Sequence, residues 1–214
     1  MLASTTAPRR LKEMTPAAVA ETLAHDPRLI LPVGTCERTR PALPMGAQTI
    51  IVDRLADDLS AEFGVLRAPT VEYGVNETQK DGYPGDVSLR KKTLHRELND
   101  LLTSWECHGV NEFILLTAHG YDPHQEALAT VGTVRARVRV VDVFAVNLSD
   151  LVGVRRSEDD RGDVYLSLLL HLTPELIDTS VIEADATAEQ GRALYERIRA
   201  RVSERIFLAP VPAE

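Results

Sequence analysis

The feature that most constrains this chain is the alternation of short apolar runs with longer amphipathic stretches. Four segments read as strands: Arg28-Leu-Ile-Leu-Pro-Val33, Val65 to Tyr73, Asn111 to Thr117, and Val138 to Val146. Between them lie helical patterns. Thr15-Pro16 supplies an N-cap and a first-turn proline for a helix through about Ala24. Ile51, Leu55, Leu59 and Phe63 recur every four positions over Gln48 to Phe63. Ser88 is placed to cap a helix whose apolar stripe is Leu94, Leu98, Leu101, Leu102 and Trp105, ending at His108-Gly109. A fourth helix runs through about Thr133, a charged loop covers Asn147 to Gly162, and further helices cover Val164 to Leu172 and Thr187 to about Ile206. Strands alternating with helices at these lengths predict an α/β fold, a three-layer α/β/α sandwich with a largely parallel sheet. Ligands in such folds bind beyond the carboxyl ends of the strands, here Glu37, the Tyr73 to Asp86 loop, and His119.

At 214 residues the chain has room for one medium-sized core. Residues 1–14 read as a loose N-terminal segment and 15–214 as a single domain. The net charge of -8 disfavours nucleic acid and acidic membrane surfaces as partners. No apolar run approaches the roughly 20 residues that span a bilayer, and no apolar segment follows the basic N-terminus, so a cytoplasmic protein is expected. Cys36 and Cys107 form no disulfide framework or thiolate cluster pattern.

Four ordered motifs carry a resemblance. They are Leu31-Pro-Val-Gly-Thr-Cys-Glu37-Arg-Thr-Arg-Pro-Ala-Leu-Pro-Met-Gly-Ala-Gln48, then Tyr83-Pro-Gly-Asp-Val-Ser-Leu89 with Thr93-Leu94, then Phe113 to Asp122, and Ala186-Thr-Ala-Glu-Gln-Gly-Arg192. In that order they resemble the creatininase (creatinine amidohydrolase) family, whose patterns are L-P-x-G-S-x-E-Q-H-G-x-H-L-P-L-x-T-D, F-P-G-T-x-S-L, a strand ending in N-G-H, and A-T-A-E-x-G-R. The resemblance implies a metal-dependent hydrolase of amide-type C–N bonds, often a homo-oligomer acting on a small molecule. It also implies a metal pair held by E-x-H, the closing Asp of the first motif, the His of N-G-H and a further Glu.

Carried over by position, Glu37 and His119 stand where the family has its Glu and His. Thr39 replaces the His of E-x-H, and Gln48 replaces the closing, bridging Asp. The further Glu falls at Tyr121 or near Tyr165, and its companion His near Asp160. A neutral amide is a weak ligand and does not bridge two dications as a carboxylate does. The expectation is a degenerate metal site and no cofactor. If a metal binds, it is a single divalent ion at Glu37, His119 and Asp122.

Glu37 and His119 therefore read as a catalytic acid–base pair, as the remnant of a one-metal site completed by Asp122 or His124, or as a hydrogen-bonded pair that only stabilises loops. Arg38 and Arg40 are placed to clamp an anion or to form salt bridges. Gln48, Tyr83, Tyr121, Asp122 and Tyr165 complete the expected substrate-binding set. Cys36 reads as an inert, buried thiol more than as a nucleophile. His25, His95, His108 and His171 read as structural or solvated, and Arg135, Arg137 and Arg139 as an exposed basic edge. Three functions fit these residues. The leading one is a repurposed enzyme acting on a C–N bond of a small anionic substrate. The alternatives are a non-catalytic pseudoenzyme serving as a binding, regulatory or assembly subunit, and an amidohydrolase with rearranged metal ligands.

Overall fold

The computed structural model describes residues 7–77, 83–145, 158–182 and 186–208. By contact they fall into two compact units. The first, Met1–Arg38 with Met45–Asp142, contains the sheet. Its strands are β1 (Arg28–Pro32), β2 (Leu66–Arg67), β3 (Glu112–Thr117) and β4 (Arg137–Asp142), in the spatial order β2-β1-β3-β4. Every pairing is parallel, with Leu29 opposite Phe113 and Leu31 opposite Leu115.

Period-2 alternation sorts the strand residues between two faces. Leu29, Leu31, Phe113 and Leu115 join one core with Leu94, Leu98 and Leu102 of α3 (Lys91–Cys107) and Ala127 and Leu128 of α4 (Asp122–Ala129). Val19 and Leu23 of α1 (Pro16–His25) pack on the same core. Ile30 and Ile114 point the other way, and α2 (Ala47–Phe63) packs on β1 and β3. Ile51, Val52, Leu55 and Leu59 of α2 are fully buried, each contributing roughly 1.5–3 kcal/mol relative to exposure. The sheet and its flanking helices make the predicted α/β fold.

Several expected boundaries shift, each for a local reason. The strand expected over Val65 to Tyr73 is regular only at Leu66–Arg67, because Pro69 has no N–H to donate. Beyond it, only Val71 rejoins the sheet, opposite Val33. Ser88 does not cap α3, which starts at Lys91; its hydroxyl accepts from the Asn76 backbone N–H instead. The fourth helix ends at Ala129, not Thr133. Residues 7–14, grouped by sequence with a loose segment, are tied down. The Arg67 backbone N–H donates to the Arg9 carbonyl at the outer edge of β2, and Arg10 forms a two-pronged ion pair with Asp57.

The second unit, Thr39–Pro44 with Val143–Glu214, contains α5 (Glu158–Leu172) and α6 (Ala188–Val202). Helix α5 takes in the last five residues of the stretch expected to be loop, 158–162. The remainder of that loop, residues 147–157, lies outside the described residues. Helix α6 is capped by Thr187, which accepts from the Gln190 N–H, and runs into a π-helical turn at Ser203–Leu208. Among the described residues, no helix is long and apolar enough to cross a membrane.

Candidate functional site

The carboxyl end of β1 is gripped on both sides: Val33 N–H donates to the Leu116 carbonyl and Gly34 N–H to the Val71 carbonyl, both at 2.8 Å. The first turn of α2 then closes onto this strand end. Thr49 Oγ1 accepts from Thr35 N–H at 3.0 Å and donates to Thr35 O at 2.8 Å. A Cβ on Gly34 would lie 2.1 Å from Thr49 Oγ1, so only glycine allows this approach. The chain leaves the sheet at this point and delivers Glu37, whose N–H donates to the Met45 carbonyl at 2.9 Å.

His119 arrives from the end of β3. Its side chain is nearly buried, and Nδ1 lies 3.1 Å from Glu37 Oε1. Nε2 lies 3.0 Å from the Val75 carbonyl. A carbonyl can only accept, so Nε2 carries a proton. With Nε2–H spent there, the contact between Nδ1 and Glu37 needs one further proton. Either a carboxylic acid donates to a neutral imidazole, or an imidazolium donates to a carboxylate.

Burial pushes the Glu37 carboxyl up to about 7. A hydrogen bond from Gln48 opposes that rise, and the charges of Asp86 and Glu77 add to it. Gln48, on the first turn of α2, is 5% exposed. Its Oε1 takes the Thr35 hydroxyl, leaving its amide N–H for Glu37.

Beside the pair, Tyr83-Pro-Gly-Asp86 forms a turn against the segment after β1. The Asp86 carboxylate accepts from Arg38 N–H at 2.6 Å and from Tyr83 N–H at 2.9 Å. The Arg38 guanidinium stacks 3.9 Å above the Tyr83 ring, and both side chains are exposed. Asn76 pins this turn to the strand end by donating both amide hydrogens, to Cys36 O and Val87 O at 3.1 Å each.

Of the residues singled out by sequence, Glu37, His119 and Gln48 meet directly. The Tyr121 ring lies 6.0 Å from the His119 ring, and Arg38 and Tyr83 form the adjoining patch. Asp122 does not join Glu37 and His119. It sits exposed on the first turn of α4, and no three His, Cys, Asp or Glu among the described residues are placed to hold a metal. The one-metal trio of Glu37, His119 and Asp122 is therefore not assembled. His124 is no free ligand either: Val75 N–H donates to its Nδ1, and its Nε2 faces Thr117 Oγ1. Arg40, Thr39 and Tyr165 belong to the second unit. There Arg40 pairs with Asp163 at 3.3 Å, Tyr165 packs edge-on against Phe144, and the buried Thr39 hydroxyl has no hydrogen-bond partner among the described residues. Cys36 is half-buried, and burial with the nearby Glu72 charge raises its thiol, which disfavours the thiolate.

Sequence reasoning missed Val75, Asn76 and Asp86. Asp86 stood within a quoted motif, at the place of the family's Thr. The roles of Val75 and Asn76 are carried by a backbone carbonyl and by an amide bonded to backbone, for which residue type gives no signal.

Residues 12–206 match the family model described as creatininase, creatinine amidohydrolase. Over 109 residues, 51% of the chain, the sequence is 28% identical to the 3-dehydro-scyllo-inosose hydrolase of Thermotoga maritima, covering 35% of that protein. It is 26% identical over 180 residues to the creatinine amidohydrolase of Pseudomonas putida, covering 74% of this chain and 69% of that one. It is also 26% identical over 172 residues to the mycofactocin precursor peptide peptidase of Mycolicibacterium smegmatis, covering 76% and 64%. The chain thus spans about a third of the first relative's length and about two thirds of the other two. Among solved structures, a creatinine amidohydrolase (creatininase) superposes with a TM-score of 0.79 at 20% identity, covering 95% of this chain and 99% of that one. A creatininase mutant complexed with creatine gives 0.78 at 21% identity, covering 92% and 98%. At such identity the likeness is one of fold.

Proposed function

Because the chain belongs to the creatininase family, we propose that it acts on a carbon–nitrogen bond of a small anionic substrate, with Glu37 and His119 as its acid–base pair in place of two metal ions. The observation that carries this reading is the 3.1 Å contact between His119 Nδ1 and Glu37 Oε1, made while Nε2 is spent on Val75. A pair so arranged holds one mobile proton. With that proton on His119, the Glu37 carboxylate takes a proton from an attacking water as oxygen bonds to the amide-type carbon. Glu37, now a carboxylic acid, returns a proton to the departing nitrogen as the C–N bond breaks. Burial keeps Glu37 near neutrality, where a carboxyl serves as both base and acid. Arg38, steadied on Tyr83 with its backbone fixed by Asp86, is the proposed anion-holding residue.

The donor set does not fit the family's two-metal arrangement. Two carboxylates and an imidazole at Glu37, Gln48 and Thr39 would be needed, but Gln48 presents an N–H toward Glu37, and Thr39 is a neutral hydroxyl. Both ring nitrogens of His119 are already engaged by protein atoms.

The test is an assay of chelator-dialysed protein on creatinine and a panel of acyclic and cyclic carboxylate-bearing amides. Turnover by wild type, with losses of about 10²-fold or more in both Glu37→Gln and His119→Ala, is expected. Turnover that needs added zinc or manganese, or that survives both substitutions, would sink the reading. A second reading, a non-catalytic binding subunit, is favoured by the same closed bonding of His119, which leaves no nitrogen open to a ligand. Stabilisation by a panel compound without turnover, in wild type and Glu37→Gln alike, would favour it.

A further inference from the structure

We infer that His124 is a positioning residue for the Glu37–His119 pair, acting through the peptide at Val75. The inference rests on the reading of that pair as the acid–base centre, but its geometry stands apart from any substrate. A backbone N–H can only donate, so the 3.2 Å contact from Val75 N makes His124 Nδ1 an acceptor. The ring proton of His124 is thereby on Nε2, 3.1 Å from Thr117 Oγ1. Thr117 Oγ1 also accepts the His119 backbone N–H at 3.2 Å, and the Val75 carbonyl takes His119 Nε2–H at 3.0 Å.

These four contacts close a ring. It runs from the His119 side chain to Val75, on to His124, then to Thr117, and back to the His119 backbone. The imidazole of His119 is tied at both ends to a frame that contains no exposed group: His124 and Thr117 are fully buried. The two imidazoles meet edge-on, with centroids 5.0 Å apart. Gly74 makes the approach feasible, since a Cβ there would lie 2.7 Å from His124 Nδ1 and 2.8 Å from the Gly34 carbonyl. What the ring fixes is which nitrogen of His119 faces Glu37. With Val75 held by His124, its carbonyl stays on Nε2, and Nδ1 is the nitrogen left for the carboxyl. A turned or displaced Val75 peptide would release Nε2–H and let the imidazole rotate or change tautomer.

The test is long-range ¹H–¹⁵N correlation spectroscopy of histidine-labelled full-length protein at neutral pH, with circular dichroism to confirm folding. In wild type, His119 is expected in one state with Nε2 protonated, and His124 as the Nε2–H tautomer. His124→Leu removes the acceptor for Val75 N–H, and the single His119 state is expected to be lost to an exchanging mixture. His124→Asn offers an oxygen near the Nδ1 position and is expected to restore it. Thr117→Val cuts the ring at its other end and is expected to loosen His119 even if the leucine variant fails to fold. A single, unchanged His119 state in folded His124→Leu or in folded Thr117→Val overturns the inference, as does His124 carrying its proton on Nδ1 in wild type. Failure of the acid–base reading would look different: Glu37→Gln and His119→Ala would keep full turnover while the spectra still showed the lock.

Discussion

Two titratable side chains, Glu37 and His124, each next to the His119 ring, pull stability in opposite directions with pH. Burial raises the Glu37 carboxyl from 4.5 to about 7 in the folded chain. A folded value above the unfolded one means that its contribution is complete below 4.5 and is lost as pH rises through 7. Wild type is therefore expected to lose stability relative to Glu37→Gln between pH 4.5 and 7 and to hold a constant offset above, as read by urea unfolding. His124 is the mirror case. Burial and the neighbouring His119 lower it from 6.5 to about 3. Its contribution is complete above 6.5 and is lost as pH falls toward 3, on the order of 5 kcal/mol over the whole interval. His124→Asn takes up no proton there and is expected to show a shallower acid limb than wild type in the same titration. A limb of equal slope would mean that His124 is not kept neutral by the fold. At this scale the sequence was informative where chemistry was unusual for its position. Gln48 in place of an Asp was visible at once. The engagement of both His119 nitrogens was not, because one partner is a backbone carbonyl that any residue type at position 75 supplies.

Elements were legible where a period or a cap dictates them. Helix α1 begins with Thr15 accepting from Ala18 N–H and Pro16 in the first turn, as the dipeptide predicts. Helix α2 follows its four-residue apolar spacing to Phe63. Prediction failed where a side chain found a tertiary partner. Ser88 has the chemistry of a cap but bonds to Asn76, and the chain needs two more residues before α3 begins. Residues 158–162 carry charge and a glycine, which reads as loop, yet α5 starts at Glu158. The junction of β1 with α2 is the element-scale feature on which the site depends most. Gly34→Ala would drive a methyl into Thr49, and the helix must shift to relieve it. We expect a loss of about 1–3 kcal/mol in unfolding free energy, together with reduced turnover, because Glu37 and Gln48 sit on the two elements being pushed apart. Full turnover in a folded Gly34→Ala protein would show that the junction is not what aligns them.

For the molecule as a whole, the alternation of apolar runs and amphipathic helices was enough to give the sheet, its parallel sense and the strand ends on which ligands are expected. Division of the described chain into two units was not legible. The segment Thr39–Pro44 belongs by contact to residues more than a hundred positions later, and no composition change marks it. That assignment also explains why Arg40, one residue removed from the first unit, has its partner in Asp163. Local sequence could place Arg38 and Arg40 side by side but could not separate a candidate anion-binding residue from a structural ion pair.

The residues before α1 have a consequence of a different kind. Strand β2 is the border of the sheet, and the Arg67 N–H on its outward side is capped by the Arg9 carbonyl, with Arg10 clamped to Asp57. An uncovered border strand is a template for pairing with other molecules. Deleting residues 1–10 removes that cover while leaving the Glu37–His119 pair untouched. The shortened protein is expected to keep its circular dichroism spectrum but to form larger species with rising concentration in light scattering, whereas the full chain does not. Arg9 and Arg10 would then serve less to hold the fold together than to keep one copy from adding its sheet to the next.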